Sequence, residues 1–160
     1  MDDSGTRRLE RLVIIDGDCS FCNGFAKLSI ALLKEESVAF VASGSGLGKK
    51  LLHHLGLPAT PSTVYVIKQG AILDKSSAIF DLCLCFRRPY RWLRVFAVLP
   101  KGFRDWVYDL VARLRRYLPG KGLALRTLTM KQQKYLIDDD RYDWAEVEDL
   151  LKLWTNSNIR

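Results

Sequence analysis

The sequence predicts an α/β domain: a small mixed sheet with a helical C-terminal part. Three observations predict it. Short apolar runs of strand character alternate with segments of helical period. Those segments follow the order β-α-β-α-β-β-α. The first strand runs straight into a tight turn and two cysteines at the mouth of a helix, with Val13 to Asn23 reading VIIDGDCSFCN.

Taken in order, residues 1–10 are a polar tail. Leu12 to Ile15 (LVII) is continuously apolar, as expected of a strand buried on both faces. The next segment predicts a helix from about Ser20 to Lys34, with Phe25, Leu28, Leu32 and Leu33 along one apolar face. Ser37 to Ala42 is a second strand, and the intervening helix makes the pair parallel. The glycine-rich GSGLGKKLLHHLG opens a short helix that stops at Gly56. Leu57 to Pro61 is a stiff connector. Ser62 to Ile67 is a third strand, Gln69-Gly70 a hairpin turn and Ala71 to Asp74 a fourth strand. Ser76 or Ser77 is placed to cap the helix holding Ala78, Ile79, Leu82 and Cys83.

Residues 11–86 therefore form a core around a four-stranded mixed sheet. Residues 87–121 are expected to be a basic helical extension: a basic stretch at Pro89–Leu99 and a helix near Phe103–Tyr117, punctuated by Pro100 and Pro119-Gly120. Residues 122–160 are expected to be a helical tail packed on or near the core, with an amphipathic helix near Tyr142–Trp154.

At 160 residues, with 48% hydrophobic and 27% charged, the chain reads as one globular domain that buries a real core. Its start, MDDSGTRRLER, lacks the apolar core of a secretory leader. No apolar run approaches the ~18 residues needed to cross a bilayer. The expectation is a reducing, cytoplasmic setting. There, a C-x-x-C pair points to catalysis or metal binding more than to a structural disulfide.

The helix mouth is where thiol chemistry is easily tuned. A helix N-terminus carries unpaired N–H groups and a partial positive charge. Both favour thiolate, the nucleophile of disulfide exchange. Cys19 is thus expected to attack a disulfide and Cys22 to resolve the mixed disulfide. Asp16, at the strand end, is a candidate either for proton relay or for holding the loop through backbone N–H groups. Asp18 is expected to cap the helix.

The element order, with C-x-x-C between first strand and first helix, resembles the glutaredoxin form of the thioredoxin fold. Such proteins place a cis-proline just before the third core strand. Thr60-Pro61 stands directly before STVYVI, so the resemblance implies that Pro61 is that proline, presenting nearby backbone to a substrate chain. DGDCSFCN is further similar to the D-G-x-C-x-x-C signature of the DCC-family thiol-disulfide oxidoreductases, with Asp16, Gly17, Cys19 and Cys22 at the motif positions. DKSSAI (Asp74–Ile79) resembles that family's K-S-x-A segment. RDWVYDLVARLR (Arg104–Arg115) resembles its Tyr-containing helix, with Leu114 replacing an Asn and Arg116 a second Tyr. The resemblance covers roughly residues 11–120. It implies reduction or exchange of disulfides on a protein or low-molecular-weight thiol substrate, glutathione among them, with no cofactor and no metal.

Other readings compete. Cys83-Leu84-Cys85 could complete a zinc site with C-x-x-C, but residues i and i+2 of a helix point about 200° apart. A buried, inert pair fits better. His53-His54 has no cysteine or carboxylate at ligand spacing. GSGLGKK fails the P-loop pattern, since Ser43 and Lys50 stand where it needs Gly and Ser/Thr. A looser anion site at that helix start, for instance for a glutathione carboxylate, remains open.

The net charge of +7 is concentrated: residues 86–126 carry eleven Lys/Arg against two Asp/Glu. Arg87, Arg88, Arg91 and Arg94 interleave with Phe86, Tyr90 and Trp92 there. That pattern suits a solvated basic face, or peripheral contact of residues 86–104 with an anionic membrane or another polyanion. No motif for sequence-specific nucleic-acid recognition is present. The acidic C-terminal segment is a candidate to fold back over this basic patch. The principal alternative to an enzyme is therefore a non-catalytic binding module of the same fold.

Overall fold

A computed structural model describes residues 9–17, 19–34, 37–88, 95–96, 98–114, 133–137, 139 and 143–157. Its elements are β1 (Arg11–Ile15), α1 (Ser20–Leu32), β2 (Val38–Ala42), α2 (Gly46–His54), β3 (Tyr65–Lys68), β4 (Ala71–Asp74) and α3 (Lys75–Cys83). Beyond these come α4 (Lys101–Leu114), β5 (Leu136–Ile137) and α5 (Trp144–Ser157). Most of the basic stretch expected at Pro89–Leu99, and the end of the helix expected to reach Tyr117, lie outside the described residues.

The sheet order is β4-β3-β1-β2-β5. β1 and β2 are parallel, as the helix between them requires. β3 is antiparallel to β1, and β4 to β3. Gln69 and Gly70 both have positive φ, 48° and 81°, the backbone a two-residue hairpin turn of type I′ demands. This is the thioredoxin-like core. The sheet has five strands rather than four, because β5 joins β2 in parallel. The added strand is only two residues long, and a two-residue apolar run carries no readable period.

Each sheet face has its own core. On one face Val13, Ile15, Phe40 and Val66 meet Ala26, Ile30 and Leu33 of α1 and Ala78 and Leu82 of α3. On the other, Leu12, Ile14, Val41 and Ile67 meet Leu47, Leu51 and Leu52 of α2 and Val147 and Leu151 of α5. β1 feeds both, so all five of its residues are buried.

Three local expectations need correction. Of the apolar face expected on α1, Leu33, just past the helix, is buried and Phe25 and Leu32 pack half-buried against the core, whereas Leu28 is 59% exposed and Cys22, Ala26 and Ile30 are buried instead. Small residues such as Ala26 and Ser29, both buried, let the helix approach the sheet closely, so side-chain size overrode the most hydrophobic stripe. Neither Ser76 nor Ser77 caps α3. The N-cap is Asp74, without a side-chain cap bond, and the Ser76 hydroxyl donates to Asp105 of α4 instead. The acidic α5 packs against α2, on the sheet face opposite the α1 and α3 layer, so it does not fold over α4, which packs against α3.

Candidate active site

The site forms where β1 ends. The chain leaves Ile15, turns at Asp16-Gly17 and enters α1. The Cys19 N–H donates to the Asp16 carbonyl at 3.4 Å, closing that turn. Packing is tight at Gly17: a Cβ there would sit 3.0 Å from the Ala42 Cβ of β2. The Asn23 amide reaches back and donates to the Gly17 carbonyl at 2.8 Å, fastening the turn to the helix it precedes. Asp18 lies outside the described residues.

Cys19 is the N-cap of α1. Its Sγ accepts the Cys22 backbone N–H at 3.4 Å, the role a serine or aspartate oxygen plays at an ordinary cap. The sulphur of a half-exposed cysteine therefore sits on one of the helix's unpaired amides, at the positive end of the dipole. Cys22, one turn on, is only 2% exposed. The two thiols are thus unequal: one faces outward on the cap, the other lies beneath it.

Beside Cys22 is an apolar cavity of about 50 Å³, bounded by Phe21 and Phe25 of α1, by Val64, and by Tyr108 and Val111 of α4. α4 is held there by polar contacts. The Tyr108 hydroxyl accepts from the Thr63 hydroxyl and from the Val64 N–H, each at 3.0 Å. Lys75 pairs with Asp109 at 3.0 Å, and its own N–H donates to Thr63 Oγ1 at 3.3 Å. Lys75 has φ of 47°, a left-handed conformation unusual for a residue with a side chain.

Tyr65 pairs with Ile14 in the sheet, so the chain before β3 arrives at the same sheet end as the Cys19 turn. Pro61 lies in that approach and is buried, while Thr60 is exposed. The structure thus brings Asp16, Gly17, Cys19 and Cys22 together, with Thr60-Pro61 at the same end of the sheet. Sequence reasoning assigned no role to Asn23, Tyr108 or Asp139. Asn23 directly follows the C-x-x-C, a position that could have flagged it. Tyr108 is fixed by packing across 45 residues, which no local signal records.

The remaining cysteines are of a different kind. Burial pushes the Cys83 thiol up to about 11, with the neighbouring Cys85 adding to the shift. Burial raises Cys85 as well, against the opposing pull of Arg11. Both therefore stay protonated near neutral pH, consistent with packing rather than exchange. Among the described residues, no three His, Cys, Asp or Glu side chains gather as a metal site. His54 makes an edge contact with Trp144, ring centroids 5.7 Å apart. The start of α2, an open candidate for an external anion, is filled by the chain itself: the Gly46 and Leu47 N–H groups donate to the Asp139 carboxylate at 2.7 and 2.6 Å.

A thioredoxin-like sheet carrying an unequal C-x-x-C at the mouth of α1 defines the class of thiol-disulfide oxidoreductases. The chain belongs to the DCC1-like thiol-disulfide oxidoreductase family, whose model matches residues 13–121. It is 32% identical over 112 residues to the uncharacterised protein YuxK of Bacillus subtilis (strain 168), covering 69% of this chain and 82% of that one. It is 30% identical over 112 residues to a chloroplastic DCC family protein of Arabidopsis thaliana, covering 69% of this chain and 65% of that one. No solved structure matches the chain. No helix among the described residues is long and apolar enough to cross a membrane.

Proposed function

We propose that Cys19 is the nucleophile and Cys22 the resolving thiol of a disulfide reductase or exchanger. The observation that carries this is the cap geometry: Cys19 Sγ, half-exposed, accepts the Cys22 N–H while Cys22 itself is buried. The Cys19 thiolate attacks one sulphur of a substrate disulfide; that S–S bond breaks, and the departing thiolate takes a proton from solvent. Cys22 then gives up its proton and attacks Cys19 Sγ. This releases the second substrate thiol and leaves a Cys19–Cys22 disulfide. Two electrons have passed to the substrate. A low-molecular-weight thiol such as glutathione, or a protein dithiol, returns the pair to the reduced form.

The backbone N–H at Cys19 Sγ stabilises negative charge on that sulphur both when it attacks and when Cys22 displaces it. Asp16 and Gly17 shape the loop. Thr60 and Pro61 border the approach of a substrate chain at that sheet end. The setting we assign is reducing and cytoplasmic, where a C-x-x-C pair acts in exchange more often than as a structural disulfide. The test is trapping. A Cys22→Ser variant should accumulate a mixed disulfide on Cys19 when offered an oxidised substrate, and Cys19→Ser should accumulate none. Equal, slow alkylation of all four thiols in the folded protein would sink the assignment.

A further inference from the structure

Helix α4 is built inside out. Four of its polar residues face the protein: Asp105 accepts from Ser76, Tyr108 from Thr63 and Val64, Asp109 pairs with Lys75, and Arg104 lies 5.1 Å from the centre of the Phe80 ring. Most of its large apolar residues face away, while Val111 borders the cavity beside Cys22. Phe103, Trp106, Val107, Leu110 and Leu114 recur at helical spacing along one stripe, and all are exposed, Trp106 to 61%. Before the helix, Val95, Phe96, Val98 and Leu99 are exposed too, Val98 to 86%. An exposed apolar stripe of this kind marks an interaction site.

Charge selects the occupant. Residues 86–126 carry eleven Lys/Arg and two acids, Asp105 and Asp109. Asp105 bonds to Ser76 and lies near Lys101, and Asp109 pairs with Lys75, so two acids leave the segment's cations in large excess. Arg88, Lys101 and Arg113 are exposed, and the acidic α5 is on the other face of the sheet. A second copy of the chain would oppose like charges. An RNA would stack on aromatic rings but has no use for Val107, Leu110 and Leu114. An anionic bilayer surface uses both features. Aliphatic residues enter the boundary between headgroups and acyl chains, Trp sits at headgroup level, and the cations pair with lipid charge.

We propose that α4, together with Val95, Phe96, Val98 and Leu99, forms a docking surface for anionic lipid membranes, with the Phe103–Leu114 stripe lying flat in the interface. The redox core is thereby held at a membrane surface.

The test is co-sedimentation of the full chain with vesicles of phosphatidylcholine alone or mixed with phosphatidylglycerol. The expected result is binding to the mixed vesicles, weakened by salt, and little to the neutral ones. The double variant Trp106→Glu/Leu110→Glu should lower affinity about tenfold or more. Its circular dichroism and thiol-labelling pattern should not change, since both side chains point outward. Lys101→Glu/Arg113→Glu should weaken binding to mixed vesicles through charge alone. The proposal is overturned if the wild type ignores anionic vesicles, or if the stripe variant binds as well as wild type. It is equally overturned if the stripe proves to hold a dimer that the same variant dissociates.

Discussion

The Tyr108 hydroxyl accepts a hydrogen bond from the Thr63 hydroxyl at 3.0 Å, tying the middle of α4 to the approach of β3. The same oxygen takes the Val64 N–H, whose residue borders the cavity beside Cys22. Removing that oxygen in Tyr108→Phe leaves the N–H of buried Val64 without its acceptor. The expected cost is about 1–3 kcal/mol. The urea midpoint should fall with the slope of the transition unchanged.

The second prediction concerns a pair outside the Cys19–Cys22 turn. Arg11 is buried in β1, and its Nε lies 2.6 Å from Asp81 Oδ2 of α3; Lys68 of β3 meets the other carboxylate oxygen at 3.1 Å. Asp81→Ala leaves the buried guanidinium with only the exposed Glu10 carboxylate, at 3.4 Å, at a cost of up to about 3 kcal/mol. Thermal melts should show a loss of that order, and a smaller one for Asp81→Asn, which keeps an acceptor.

Cys83 sets a pH dependence. Its folded value of about 11 exceeds its ordinary 9.0, because burial opposes the thiolate. Between those values the unfolded chain has lost a proton that the folded chain keeps. Stability contributed by the neutral thiol is complete below pH 9 and is lost as pH rises toward 11. Unfolding midpoints measured from pH 8 to 11 should decline, and in Cys83→Ala this component should vanish.

Asp139 closes the start of α2 with two short bonds and so links β5 to the core. Asp139→Ala should cost roughly 0.5–2 kcal/mol. Hydrogen exchange should locate the loss in the first turn of α2 and in β5, leaving β1 and β3 protected.

The comparison of sequence with structure divides along sequence separation. The strand-turn-helix around Cys19 and Cys22 was legible because its determinants are neighbours: an apolar run, a glycine turn and two cysteines three apart. The parallel β1–β2 pair followed from the helix between them, and the Gln69-Gly70 turn from its own backbone needs. Cys83 is buried, as expected, while Cys85 is only partly so.

The sequence by itself determined the element order, the thiol pair and the segment holding the excess charge, because period and spacing are local properties. Only the tertiary structure decided which side of α1 meets the sheet, since close approach favoured Ala26 and Ser29 over Leu28. Long-range pairing also decided that Asp139 fills the start of α2, that Ser76 serves Asp105 instead of a cap, and that β5 completes the sheet. The orientation of α4 belongs with these. Its amphipathic pattern would ordinarily turn the apolar side inward, yet the partners waiting on the protein are Thr63, Lys75 and Ser76. Polar groups near burial must be satisfied, and that requirement turned Phe103, Trp106 and Leu110 outward.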